Sequence, residues 1–256
     1  MNESEVAHIK YRRLKYALRS TLGYLKLNST YSVSRGISIL GFNIFVDSRP
    51  GPLKYRSTYA MDYVLALNPK TVLDVGSGGG QHAQAFRKNG SKVTCIDFGT
   101  SIYADNAENE GLEVIYADFN SYDSPVKYDL VWASHILEHQ RNPGAFIERL
   151  VQACAEDGHV CITVPDPHRN LWGGHVSLWT PGLLAYNVVL CGVDLSEAKF
   201  IRGSNEFSIL FKAKRVPVPN DLHYDYGDLQ KLAKYLPEGF TESSDPWRVT
   251  WSVRPD

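Results

Sequence analysis

The stretch Val72-Leu73-Asp74-Val75-Gly76-Ser77-Gly78-Gly79-Gly80 decides the fold. An apolar run of strand length ends in a glycine cluster, and residues 81–88 behind it have helical character. Glycines at such a junction let backbone approach a ligand where a Cβ would clash. The helix start behind them offers free N–H groups. A phosphate-binding loop would close on Gly-Lys-Ser/Thr, but Gln81-His82 stands there. A GxGxxG dinucleotide fingerprint counted from Gly76 would need glycine where Gln81 is. Asp74 lies two residues before the first glycine, and a carboxylate there would repel a pyrophosphate. A cationic ligand suits it better. S-adenosylmethionine (SAM) fits, because it carries a sulfonium and an ammonium and no phosphate.

Working outward, strands and helices alternate. Strands are expected at residues 71–75, 92–96, 112–116, 128–133 and 159–164. Helices are expected at 55–67, 81–88, 101–110 and 143–155, the last with Asn142 as cap and Pro143 at its first position. This alternation implies a parallel sheet with helices on both faces. Runs such as VLDV, DLVWA and VCITV are apolar throughout, as strands covered on both faces require. Thr180-Pro181 opens a further helix reaching about Cys191. Residues 198–201 and 207–213 read as an antiparallel hairpin about a Gly-Ser-Asn turn, and 229–236 as a last helical stretch.

The second strand ends Cys95-Ile96-Asp97-Phe98, and the third is followed by Asp118-Phe119. An acid after the second strand is placed for ribose hydroxyls. Phe98 can pack on an adenine, and Asp118 can accept from its exocyclic amine. These pieces, LDVGSGGG, CIDFG, ADF, YDLVWASHILEH and GHVCITVPD, resemble the class I SAM-dependent methyltransferase superfamily in order and spacing over residues 70–213. The resemblance implies an α/β, Rossmann-like, doubly wound seven-stranded sheet with an antiparallel last strand, and SAM as cofactor. It places cofactor contacts on Asp74, Gly76, Gly78, Gly80, Asp97, Phe98, Asp118 and Phe119, with Ser134 and His135 bordering the pocket.

Residues after the fourth and fifth strands should face the methyl donor. The fourth is followed by Ser134-His135-Ile136-Leu137-Glu138-His139, an H-x-x-E-H pattern that a helix would also offer to zinc. No convincing third-ligand motif follows it, and no metal is assigned. Similar small-molecule methyltransferases carry a Leu-Glu-His run here, which makes His139 the expected general base, with Glu138 orienting it. After the fifth strand come His168, Arg169, Trp172 and His175 in a glycine-rich loop. Trp172 and Trp179 can stack on a sugar or aromatic ring, or cover the core. His175 to Thr180-Pro181 resembles a His-x-x-x-x-Thr-Pro element of methyltransferases encoded with surface-polysaccharide genes. His175 is therefore a second candidate base, and the acceptor expected is a small molecule or saccharide.

Composition narrows the rest. Over 256 residues, 43% hydrophobic and 21% charged content excludes a chain disordered throughout. A net charge of -1 argues against a nucleic-acid partner held by a globally basic surface. The four cysteines have no metal-knuckle spacing and read as buried thiols. The acid-containing start MNESEV and the lack of a long apolar run point to a soluble, cytoplasmic protein. Residues 5–27 read as an amphipathic helix with a basic face, which can pack on its own domain or lie on a membrane surface. The expected organisation is an N-terminal helical extension or cap at 1–54, a SAM-binding domain at 55–215 and a C-terminal extension at 216–256. The function expected is methyl transfer from SAM to an oxygen. A non-catalytic SAM- or glycan-binding module and a metal-dependent hydrolase are the alternatives.

Overall fold

The computed structural model describes residues 57–100, 111–167, 173–203, 205–225, 227–238 and 240, and the backbone of 37–39 and 42–44. The helices expected at 5–27 and 101–110, and His168, Arg169 and Trp172, lie outside the described residues. The chain divides into two compact units, Met1–Pro50 and Gly51–Asp256. In the first, within the stretch expected as a helical extension or cap, β1 (Ile37–Ile39) and β2 (Phe42–Ile44) pair antiparallel, with Ile37 opposite Ile44.

The second unit holds α1 (Thr58–Ala66), β3 (Thr71–Val75), α2 (Gln81–Lys88), β4 (Lys92–Asp97), β5 (Val114–Tyr116) and β6 (Tyr128–Ser134). There follow α3 (Pro143–Ala153), β7 (Cys154–Pro165), α4 (Pro181–Leu190), β8 (Lys199–Arg202), β9 (Glu206–Lys212) and α5 (Asp228–Leu232). The seven-stranded sheet has the order β5-β4-β3-β6-β7-β9-β8. Strands β3 to β7 run parallel. β9 lies antiparallel to both β7 and β8, so the last strand of the chain runs against the others. The expected doubly wound sheet with its reversed last strand is what the chain forms.

Alternation along the strands builds both cores, because successive side chains point to opposite faces. Leu73, Val75, Val131 and Ala133 join Phe146, Ile147, Leu150, Leu184 and Val188 of α3 and α4. Val72, Leu130 and Trp132 join Met61 and Val64 of α1 and Phe86 of α2. Trp132 is fully buried, edge-on to His82 and Phe86 with ring centroids 5.2 and 5.6 Å away. The cap signals hold locally. Asn142 Oδ1 accepts from the Ala145 N–H and Thr180 Oγ1 from the Leu183 N–H, each ahead of a proline in the first turn.

One boundary moves. β7 begins at Cys154, directly after α3, not at His159 as the sequence suggested. Gly158 makes this early pairing fit, since a Cβ there would lie 2.8 Å from the Tyr128 carbonyl oxygen of β6. Among the described residues no helix is long and apolar enough to cross a membrane.

Candidate functional site

The glycine cluster leaves the carboxyl end of β3, the edge at which open α/β sheets bind ligands. Gly76, Gly78 and Gly80 have φ of 72°, 49° and 75°, the left-handed region that side chains disfavour. At Gly76 a Cβ would also lie 2.8 Å from Ile136 Cδ1. The loop is tied to the second strand through its acid. Asp97 Oδ2 accepts from the Gly78 N–H at 2.9 Å and Oδ1 from the Gly99 N–H at 2.8 Å. Each oxygen keeps a lone pair for a further donor.

Asp74 is 1% exposed, and its Oδ2 has no hydrogen-bond partner. Burial, and then the charge of Asp97, push its carboxyl up to about 7. An orphaned buried carboxyl oxygen beside a glycine-rich turn fits a ligand that brings a cation better than one that brings a phosphate.

Phe98 is exposed, and Tyr116, half-exposed, packs beside Gly99, where an added Cβ would meet its ring at 2.6 Å. Phe119 is different: its ring is buried edge-on to Phe146, 5.5 Å away, so the side chain expected at the cofactor serves the core. Asp118 Oδ1 accepts from the Asn120 N–H at 2.8 Å and from Asn120 Nδ2 at 3.1 Å. Asn120 Nδ2 also donates to Gln140 Oε1 at 3.0 Å, and Gln140 Nε2 to the Ile136 carbonyl at 3.2 Å. This chain of bonds joins the acid after β5 to the turn after β6. Arg149 of α3 closes the Asp118 loop from behind, donating to the Phe119 and Tyr122 carbonyls and pairing with Asp123.

The H-x-x-E-H segment is not a helix. His135 leaves β6 with φ of 56°, and only Leu137–His139 coil, as a single 3₁₀ turn. His135 and His139 therefore do not share a helical face, and the zinc-protease geometry is absent. The His135 ring lies between two carboxylates, Nε2 2.7 Å from Glu206 Oε2 and Nδ1 3.3 Å from Glu138 Oε1. Burial works against its charged form, but the two glutamates win and hold the imidazole above its usual range. Ser134 Oγ is 2.6 Å from Ser57 Oγ, and the Ser57 N–H donates to Glu206 Oε1.

His139 Nδ1 lies 2.7 Å from the Gly174 carbonyl oxygen, which can only accept. The neutral ring therefore carries its proton on Nδ1 and presents Nε2 as a lone pair. His175 packs edge-on against it, with ring centroids 4.9 Å apart. Glu138 beneath is 1% exposed, neither of its carboxylate oxygens accepts a hydrogen bond, and Oε1 is 4.0 Å from His139 Nε2. Ligand atoms of Glu138, His139 and His175 lie within 4.8 Å of one another, so this trio could hold a metal ion. The Glu138 carbonyl accepts from the Val176 and Ser177 N–H groups, pinning the loop that brings His175 in. Trp179 is buried and donates to Ser177 Oγ at 2.9 Å, so it is a strut of this loop rather than an exposed stacking platform.

The structure thus places Asp74, the three glycines, Asp97, Phe98 and Asp118 along one edge of the sheet, and His139 with His175 at the turn after β6. Glu206, Ser57 and the Gly174 carbonyl are additions. Glu206 had no sequence signal, because a lone acid opening an apolar strand reads as a solvated end.

The family described as a methyltransferase domain matches residues 53–202. The ubiquinone biosynthesis O-methyltransferase of Yersinia enterocolitica is 29% identical, covering 47% of this chain and 54% of its own length. That of Serratia proteamaculans is 27% identical, covering 47% and 55%. The chain spans about half the length of the curated relatives it matches. Among solved structures, a DhpI–SAH complex superposes with a TM-score of 0.52 at 20% identity, over 62% of this chain and 84% of that one, a likeness of fold. With residues 53–202 matched, more than half of its length, the chain belongs to the methyltransferase-domain family.

Proposed function

We propose that the chain transfers a methyl group from SAM to an oxygen of a small-molecule acceptor, a saccharide being the class that the His175 to Thr180-Pro181 element favours. One observation carries the reading. A glycine turn holding a buried, unpartnered Asp74 oxygen lies on the same sheet edge as a histidine whose Nε2 is free to take a proton. The names of the curated relatives, O-methyltransferases, support oxygen as the acceptor atom.

SAM supplies an electrophilic methyl on a sulfonium. Asp74 would face its cationic end, Asp97 its ribose hydroxyls, and Asp118 and Phe98 its adenine, with the main chain at Gly76, Gly78, Gly80, Phe119, Ser134 and His135 around it. His139 Nε2 takes the acceptor hydroxyl proton as the oxygen attacks, and Gly174 keeps the ring in the tautomer that can do so. His175 shapes the acceptor side of the ring and is the second candidate base. Positioning and exclusion of water account for most of the acceleration expected of such a displacement. The hydrolase alternative needed His135 and His139 on one helix, which the 3₁₀ turn denies it.

The test pairs calorimetric titration of the chain with S-adenosylhomocysteine (SAH) and transfer of labelled methyl from SAM to a panel of phenols, sugars and nucleotide sugars. Binding with transfer to an oxygen supports the reading. Binding without transfer to any acceptor in the panel, or transfer to nitrogen, counts against it.

A further inference from the structure

We propose that Glu138, His139 and His175 form a binding site for one divalent transition-metal ion of the zinc class, and that the bound ion takes the Nε2 lone pair with which His139 would act as a base. The site itself stands on geometry; only the effect on turnover rests on the methyl-transfer reading. One ligand atom from each of the three residues lies within 4.8 Å of the others. Glu138 Oε1 is 4.0 Å from His139 Nε2, and the two imidazoles stand edge-on with centroids 4.9 Å apart. Ligands in a tetrahedral zinc shell lie about 3.4 Å from one another. Closing the trio to that spacing takes shifts of about an ångström, which fall to exposed His139 and half-buried His175 while buried Glu138 stays in place.

The carboxylate is a second, independent observation. Glu138 is 1% exposed, and neither of its oxygens accepts a hydrogen bond. His135 Nδ1 stands 3.3 Å from Oε1 without bonding to it. A buried carboxylate that no donor satisfies is costly, and a coordinated cation removes that cost. His139 is prepared from its other side. Its Nδ1 lies 2.7 Å from the Gly174 carbonyl oxygen, and a metal-bound histidine almost always gives its remaining ring N–H to such an acceptor. That leaves Nε2 as the ligand atom, on the side of the ring nearer Glu138.

The backbone brings in the third ligand. The Glu138 carbonyl accepts from the Val176 and Ser177 N–H groups, and Ser177 Oγ accepts from buried Trp179 at 2.9 Å. His175 is thereby held beside the turn that carries the other two. Two ring nitrogens and one carboxylate oxygen suit Zn²⁺, Co²⁺ or Ni²⁺, whereas Mg²⁺ and Ca²⁺ prefer oxygen alone. Three protein ligands leave a fourth tetrahedral position for water. The consequence for transfer follows from a single lone pair. A ring nitrogen that coordinates a metal cannot at the same time accept a proton. Metal loading therefore opposes turnover.

The experiment titrates Zn²⁺ or Co²⁺ alone into the metal-free full chain, with no SAM or acceptor present. Expected are one Zn²⁺ per chain by calorimetry and, with Co²⁺, the visible absorption of a four-coordinate site. Glu138→Gln and His175→Ala should each weaken Zn²⁺ binding by about tenfold or more, the least that losing a group around a metal costs. His223→Gln, outside the trio, should leave binding unchanged. No Zn²⁺ binding, binding unchanged in either trio variant, binding lost in His223→Gln, or Mg²⁺ bound as tightly as Zn²⁺ overturns the site. Should Glu138→Gln not fold, His175→Ala, on a largely exposed loop, decides alone. Once an acceptor is found, stoichiometric Zn²⁺ should lower kcat by about a hundredfold, the low end of what a general base supplies, and a chelator should restore it. Turnover unchanged or raised by Zn²⁺ overturns the effect on His139. Failure of the chain to bind SAH would remove the methyl-transfer reading while the metal titration still reports the site, so the two failures are separable.

Discussion

The Nδ1 of His139 lies 2.7 Å from the carbonyl oxygen of Gly174, and this contact sets which nitrogen of the ring can act as a base. Gly174 has φ of 82°, and a Cβ there would sit 3.1 Å from the same Nδ1. Position 174 is thus restricted to glycine by backbone and by crowding. Gly174→Ala is expected to turn or displace the His139 ring. The check is ¹⁵N NMR of the ring, which reports an Nδ1-protonated tautomer in the parent and a mixture in the variant. Identical tautomers in both would remove Gly174 from this role.

His139→Ala should lower turnover by roughly 10²- to 10⁴-fold, the range a positioned general base supplies. Its effect on SAH affinity should be small, because Asp74, Asp97 and the glycine turn are untouched. Single-turnover kinetics beside calorimetry separates the two. Equal turnover would transfer the role to His175, for which His175→Ala is the matching test.

Asp74 gives a pH prediction. Its carboxyl is raised in the folded chain from the ordinary 3.8 to about 7, first by burial and then by Asp97. An acid so raised favours folding in its protonated form. That contribution is fully present below pH 3.8 and is lost progressively as pH rises to about 7. Asp74→Asn should therefore remove this fall, leaving the variant more stable than the parent at pH 8 by an amount on the order of 4 kcal/mol. Urea midpoints at pH 5 and pH 8 measure it. A parent and variant that lose stability in parallel over that window would show Asp74 to be an ordinary carboxylate. The same linkage makes cofactor binding below pH 7 release protons, read as a buffer-dependent calorimetric heat.

Gly76→Ala should cost about 1–3 kcal/mol, from the left-handed backbone and the approach of Ile136. Ile136→Val deletes the Cδ1 that an alanine would meet at 2.8 Å. In a double-mutant cycle the pair should recover part of the loss and no more, since the backbone term remains. Simple additivity would mean that the crowding is absent.

Arg149→Met tests the rear support of the Asp118 loop. The guanidinium donates to two loop carbonyls, and methionine keeps the bulk without the donors. A lower melting temperature together with weaker SAH binding is expected. Unchanged SAH affinity in a destabilised variant would confine Arg149 to the fold.

Much of this was legible because periodicity and punctuation act locally. The VLDV run, the glycine cluster and the Asn-Pro and Thr-Pro caps each specify structure within a few residues, and the sheet follows from their alternation. The H-x-x-E-H segment misled for a tertiary reason. Its spacing suits a helix, but Ile136 must pack over Gly76 and Leu137 must enter the core, and His135 turns at positive φ to allow both. The resemblance places Phe119 at the cofactor, and what sequence could not show is that its ring packs edge-on against Phe146. Glu206 meets His135 across 71 residues, and pattern within one segment cannot report such a pairing. The carbonyl of Gly174 was invisible for a different reason, since no side chain advertises it.

The most direct test of the account is calorimetric titration of the full chain with SAH, with ATP and NAD run in parallel. One SAH per chain, displaced by SAM, with no heat from either phosphate-bearing nucleotide, is the result predicted. Binding of ATP or NAD in place of SAH would contradict it.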